Sequence, residues 1–185
     1  MKRRTFLAST ALAGVAGWLG LTAAGEAKWD PLKRVGDIGK GLVPDEIVPV
    51  TFTPEQWRER LDPQVYAVLR EEATERPWSS PLNAEKRAGT HHCAGCDLPL
   101  YRSETKFESG TGWPSFYQAV ENAVGTKTDY YLIYPRTEVH CARCEGHQGH
   151  IFNDGPEPTG NRHCINGVAL TFRADAGEGE AKAGG

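Results

Sequence analysis

The sequence predicts a mainly β domain: a small antiparallel, barrel-like β core with two short N-terminal helices, braced by a cysteine-held metal. Three observations carry this. Two capping patterns with Pro at the first helical position stand at Thr53-Pro54 and Asp62-Pro63. After Pro77 short β-like runs follow one another, separated by Gly, Pro and Asn. Two C-x-x-C units bracket that β region.

The elements follow in order. Met1-Lys2-Arg3-Arg4-Thr5-Phe6-Leu7 opens the chain with a twin arginine, an apolar run reaches about Ala24, and small residues follow to Ala27. A basic start, an apolar stretch and a small-residue site describe an export signal, and Arg3-Arg4 points to the twin-arginine export machinery. Cleavage near Ala27 is expected; an uncut segment would serve as an N-terminal anchor, since the run is about long enough to span a bilayer. Residues 28–50 carry Gly and Pro without a steady period and read as a linker. Thr53 to about Leu61 and Asp62 to about Glu72 are the two helices, the second with a stripe of Val65, Tyr66 and Leu69. The β-like runs are His91–Cys93, Leu98–Tyr101, Tyr130–Tyr134, Glu138–Cys141 and His163–Phe172. Residues 174–185 are Gly, Ala and Glu and read as a disordered tail. One domain over 51–173 remains.

Composition narrows the function. Of 185 residues, 39% are hydrophobic and 24% charged, which suits a globular core. The formal net charge of -3 opposes a nucleic-acid binder that works by a basic field, so no nucleic-acid partner is expected. A collagenous, a polytopic membrane and a strongly basic protein are excluded.

Cys93-Ala94-Gly95-Cys96 and Cys141-Ala142-Arg143-Cys144 each let a tight turn point two sulfurs at one ion, and together they complete the tetrahedral thiolate set that zinc prefers. The 44 residues between the pairs are no obstacle, because loop closure costs entropy only logarithmically. Two disulfides or one redox C-x-x-C are the rival readings; the doubled unit favours zinc. A mixed set of Cys141, Cys144, His147 and His150 would strand Cys93 and Cys96. Four thiolates close the site, so the metal is expected to be structural.

Of the five cysteines, Cys164 is then left over. On a strand, Arg162, Cys164 and Asn166 share a face. A guanidinium beside a thiol favours the reactive thiolate, and Asn166 offers an amide donor. A lone Cys is more commonly a buried structural one, but the flanking Arg and Asn, costly in a dry core, point to a nucleophile. Gly146-His147-Gln148-Gly149-His150 supplies two histidines able to hold and donate a proton. Gly110-Thr111-Gly112-Trp113 is an aromatic turn whose glycines would present Trp113 as a wall.

These segments (Cys93–Cys96, Ser109–Phe116, Thr137–Phe152, Asn153–Pro156 and Arg162–Phe172) resemble the B-type methionine-R-sulfoxide reductases, in order and over nearly all of 51–173. The resemblance implies a small zinc-containing β fold that reduces the R epimer of methionine sulfoxide, free or in proteins. It implies Cys164 as nucleophile, His147 as main proton donor, and His150, Arg162 and Asn166 as further catalytic residues. Trp113 and Phe152 become the substrate-binding residues, and Cys93, Cys96, Cys141 and Cys144 the ligands of one Zn2+. Regeneration falls to an external thiol reductant such as a thioredoxin-like protein. A periplasmic monomer is expected.

Two positions depart from the pattern. Thr111 stands where many members carry a resolving cysteine, so a one-cysteine cycle is expected. His163 replaces the Tyr common before the nucleophile; by strand alternation it points away from Cys164. A non-enzymatic zinc-ribbon module would leave the Arg-x-Cys-x-Asn strand unexplained. A thiol–disulfide oxidoreductase using one C-x-x-C would bind no metal.

Overall fold

The computed structural model describes residues 28–176. The expected export signal and most of the expected tail lie outside these residues. Among the described residues no helix is long and apolar enough to cross a membrane.

Helix α1 runs Pro54–Arg60 behind a full capping box: Gln56 N donates to Thr53 Oγ1 at 3.3 Å and Thr53 N donates to Gln56 Oε1 at 2.9 Å. Helix α2 runs Pro63–Glu71. Asp62 precedes it as expected, yet its carboxylate makes no capping hydrogen bond; the proline at the first helical position, with φ preset, starts the helix. Val68 and Leu69 of α2 are buried and pack against Ala169.

The rest is two antiparallel sheets. Strands β1 (Gly89–Cys93), β2 (Pro99–Arg102) and β9 (Leu170–Ala174) form the first, in the order β2-β1-β9. Strands β3 (Lys106–Phe107), β4 (Ser115–Phe116), β5 (Val124–Asp129), β6 (Arg136–Cys141), β7 (His147–Phe152) and β8 (Arg162–Ile165) form the second, in the order β3-β4-β8-β7-β6-β5. Neither sheet closes on itself, so the mainly β expectation stands without a barrel. Between the sheets lie Leu98, Leu100, Tyr101, Phe116 and Ile165, all fully buried. Each such side chain contributes about 1.5–3 kcal/mol by leaving water. Tyr101 stacks on Phe116 at 4.4 Å between ring centres.

Two strand expectations need correction. Tyr130–Tyr134 is the loop of the β5–β6 hairpin, not a strand: the ladder ends at the pair Asp129–Arg136. Asp129 Oδ1 accepts Tyr131 N at 2.7 Å and folds the chain back at that point, and a run apolar on both faces has no core to sit against. The true strand is the polar Val124–Asp129 before it. His163–Phe172 is not continuous either. A 3-10 turn at Gly167–Ala169 separates β8 from β9 and sends them to different sheets. Gly167 N and Val168 N donate to the Glu75 carboxylate at 2.5 and 3.0 Å, a tertiary contact that breaks the local β pattern.

Residues 28–50 form no helix or strand, but they are tied to the β domain. Trp29 Nε1 donates to Asn161 Oδ1 at 2.7 Å, Val35 N donates to Gln118 Oε1 at 2.9 Å, and Val43 is buried.

Candidate active site and metal centre

Cys93 ends β1 in one sheet and Cys141 ends β6 in the other, so their two turns meet between the sheets. The turns have the same form. Asp97 N donates to Cys93 O at 2.8 Å and Glu145 N to Cys141 O at 2.9 Å, and Asp97 and Glu145 take left-handed φ values of 64° and 57°. The sulfurs of Cys93, Cys96, Cys141 and Cys144 all lie within 4.8 Å of one another. The separations Cys93–Cys144 and Cys96–Cys141 are 3.6 and 3.5 Å. A tetrahedron with zinc–sulfur bonds of about 2.3 Å has edges of about 3.8 Å, so the four thiols fit one zinc ion. A disulfide bond is about 2.05 Å, and all five cysteines are free. Leu69 of α2 covers both turns: a Cβ built on Gly95 or Gly146 would come to 3.1 Å of its methyls. The metal set is closed and holds the two sheets together. His147 and His150 lie outside it.

Cys164 sits on β8 between β4 and β7, opposite Ser115 on one side and His150 on the other. It lies in a cavity of about 140 Å³ that Trp113, Arg136, His150, Phe152 and Asn166 also line. The cavity admits one side chain. A Cβ on Gly149 would collide with the Cys164 carbonyl, which is why β7 can lie so close beneath the nucleophile.

Each expected site residue has a definite place. Arg162 is opposite Phe152 across the β7–β8 ladder, with its guanidinium 4.4 Å over that ring. It is held in a two-pronged pair by Asp154, at 2.8 and 2.9 Å. Burial pushes the Cys164 thiol up from its ordinary value, and the pull of Arg162 and Thr111 in the other direction does not overcome it. Arg162 thus favours the thiolate as expected, but burial is the larger influence on the sulfur, and Asp154 offsets a small part of the guanidinium's pull.

Asn166 lines the cavity and is held by both ends of its amide. Its Nδ2 donates to Gln148 O at 3.0 Å, and its Oδ1 accepts Glu75 N at 3.0 Å. Glu75 also accepts Trp113 Nε1 on its carbonyl at 3.2 Å. One buried residue thus fixes both Asn166 and Trp113.

The two histidines share a face because the β6–β7 register shifts between Val139 and His140. Their rings are 5.4 Å apart. His150 is the one in the Cys164 cavity; its Nε2 lies 2.7 Å from Asp129 Oδ2. Burial lowers its pKa, and the Asp129 bond restores part of it. His147 stands behind, 3% exposed, with Nδ1 2.8 Å from Glu138 Oε1. Burial opposes the charge on Glu138, but hydrogen bonds to His140 and His147 prevail and hold its pKa at about 2. His163 points away from the cavity to Tyr101 Oη at 3.2 Å, and burial lowers its pKa to about 3.

Sequence reasoning missed Asp129, Arg136, Glu138 and Glu75. Arg136 and Glu138 alternate on β6, a period-2 signal that was readable. Asp129 and Glu75 have no local signature. Thr111 Oγ1 lies 4.0 Å from Cys164 Sγ, at the end of a hydroxyl chain in which Ser109 is 2.8 Å from both Thr111 and Ser115. The position that carries a resolving cysteine in the resembling family is therefore the one that touches the nucleophile, here with a hydroxyl.

Comparison with known proteins agrees with this geometry. The SelR domain model matches residues 61–174. The peptide methionine sulfoxide reductase MsrB of Pseudomonas putida (strain W619) is 55% identical over 122 residues, covering 65% of this chain and 92% of that protein. MsrB of Bradyrhizobium diazoefficiens is 57% identical over 122 residues, covering 65% of this chain and 88% of that protein. The chloroplastic peptide methionine sulfoxide reductase B1 of Oryza sativa subsp. japonica is 48% identical over 124 residues, covering 66% of this chain and 58% of that protein.

Proposed function

The chain belongs to the SelR-domain family of B-type methionine-R-sulfoxide reductases, and from that membership we propose that Cys164 is the residue through which it reduces methionine-R-sulfoxide to methionine. The observation that carries this is the cavity over Cys164, walled by Trp113 and Phe152 and closed by His150. A sulfoxide sulfur is a weak electrophile because its oxygen leaves poorly. Protonation of that oxygen as the Cys164 sulfur attacks removes the difficulty. In sum, Cys–SH and the sulfoxide give Cys–SOH and the thioether: the substrate sulfur gains two electrons and Cys164 loses two. Two equivalents of an external thiol then return the sulfenic acid to the thiol, with a disulfide and water as products.

The position of His150 opposite Cys164 supports it as the group that protonates the sulfoxide oxygen, with His147 and Glu138 behind it. This reverses the order expected between the histidines. Arg162 favours the thiolate as it forms, Asn166 holds the cavity floor, and Trp113 with Phe152 takes the S-methyl end. Zinc, held by Cys93, Cys96, Cys141 and Cys144, braces the fold.

An assay on separated R and S epimers with a simple dithiol tests the function: turnover of the R epimer alone is expected, and turnover of the S epimer alone would overturn it. In the same assay His150→Asn is expected to lower kcat by about 10²–10⁴-fold, the usual worth of a positioned acid, and His147→Asn by less.

Arg3-Arg4 and the apolar run support export by the twin-arginine machinery as a folded, metal-loaded monomer. The periplasm is then the site of action and a thioredoxin-like protein the reductant. Cell fractionation checks this; protein confined to the cytoplasm would refute it.

A further inference from the structure

The tip of the β5–β6 hairpin exposes five large apolar side chains in a row. Tyr130 is 76% exposed, Tyr131 90%, Leu132 41%, Ile133 106% and Tyr134 62%. Single exposed apolar residues need no explanation, but a contiguous patch marks a binding surface.

The patch is continuous with the catalytic cavity. Tyr131 and Leu132 wall a second, wider cavity whose other side is the end of α2 and the turn after it, at Glu71, Glu72 and Thr74. Thr74, Arg136 and His150 line both cavities, so a single groove leads from the hairpin tip down to Cys164. The root of the hairpin is fixed to the chemistry. Asp129 Oδ2 accepts from Arg136 Nη2 at 2.6 Å and lies 2.7 Å from His150 Nε2.

We infer that the Tyr130–Tyr134 hairpin tip is a docking surface for unfolded polypeptide, selecting methionine sulfoxides whose sequence neighbours are apolar. The inference rests on the reductase reading of Cys164 and adds a substrate preference to it. A sulfoxide side chain seated in the narrow Cys164 cavity leaves its neighbours in the wider groove, against Tyr131 and Leu132, with Ile133 and Tyr134 beyond. Methionine is a core-filling residue, and its oxidation disrupts apolar packing, so the segment released into solvent is apolar around the lesion. Three tyrosines suit such a surface, since each presents an apolar face and a polar edge that tolerates water. A membrane is the less favoured occupant: Glu71 and Glu72 line the groove and the chain carries a net charge of -3, which an anionic bilayer repels.

The test uses the zinc-loaded protein and three substrates: free methionine-R-sulfoxide, a peptide with the sulfoxide between Leu and Val, and one with it between Gly and Ser. The variant is Ile133→Ser with Tyr134→Ser, two residues outside both cavity walls. The wild type is expected to favour the apolar peptide by about tenfold in kcat/KM, the effect of partly burying one such side chain. The variant is expected to lose that preference and keep its rate on free sulfoxide. Equal wild-type rates on both peptides, a preference that survives in the variant, or an equal fall on all three substrates would overturn the inference. So would wild-type sedimentation with phosphatidylglycerol vesicles that the variant loses while the peptide preference stays. No wild-type turnover of any of the three substrates would instead overturn the reductase reading itself.

Discussion

Cys164→Ser is expected to lower turnover by about 10⁴-fold or more, the scale on which removal of a covalent nucleophile acts. A serine hydroxyl cannot accept oxygen from the substrate as a sulfenic acid does, and at neutral pH it is a far poorer nucleophile toward sulfur. The other four cysteines are gathered in the metal cluster, and the nearest hydroxyl, Thr111, has no redox chemistry. No second sulfur stands ready to take over. Zinc content and melting temperature are expected to match the wild type, because Cys164 is no ligand. The check is an epimer-resolved assay beside metal analysis on one preparation. Retained turnover would show that the nucleophile is elsewhere.

Cys141→Ser is expected to have the opposite profile: loss of zinc and a large loss of stability, with activity lost as a consequence. Structural zinc contributes on the order of 10–16 kcal/mol in small peptides that fold only with metal. This domain has its own core, so part of that remains. The sheets, however, are stitched at the Cys93–Cys96 and Cys141–Cys144 turns, and a missing ligand would leave three thiols, two of them buried, crowded together without their ion. A melting temperature lowered by well over 10 °C and a zinc content near zero are the expected readings, since a few kcal/mol shifts a domain of this size by that much. Wild-type zinc and melting would refute the four-thiolate site.

Much of this was legible in the sequence wherever the signal is local. Thr53 and Gln56 make the capping box that their spacing announces, and the doubled C-x-x-C brings four sulfurs together across 44 intervening residues. Cys164 was found by subtraction, and its company of Arg162 and Asn166 by period-2 alternation. What could not be read depends on distant contacts. The break between β8 and β9 is made by Glu75, 92 residues before Gly167 in the chain. Tyr130–Tyr134 has strand composition without alternation, and only the Asp129 turn assigns it to a loop. The hydrogen-bond partners of Arg162 and Asn166 are hidden in the same way: Asp154, Glu75 and Gln148 all lie outside their strand. That the two histidines share a face depends on a register shift in β6–β7 that leaves no mark in the sequence.

The central claim is that one sulfur, Cys164, takes the oxygen from the substrate without a second cysteine. The direct measurement is mass spectrometry of the protein after a single turnover with methionine-R-sulfoxide and no reductant, with dimedone present to trap sulfenic acid. The prediction is one dimedone adduct, on the peptide that contains Cys164, and none after incubation with the S epimer. An internal disulfide joining Cys164 to another cysteine, or an adduct on any other residue, would contradict it.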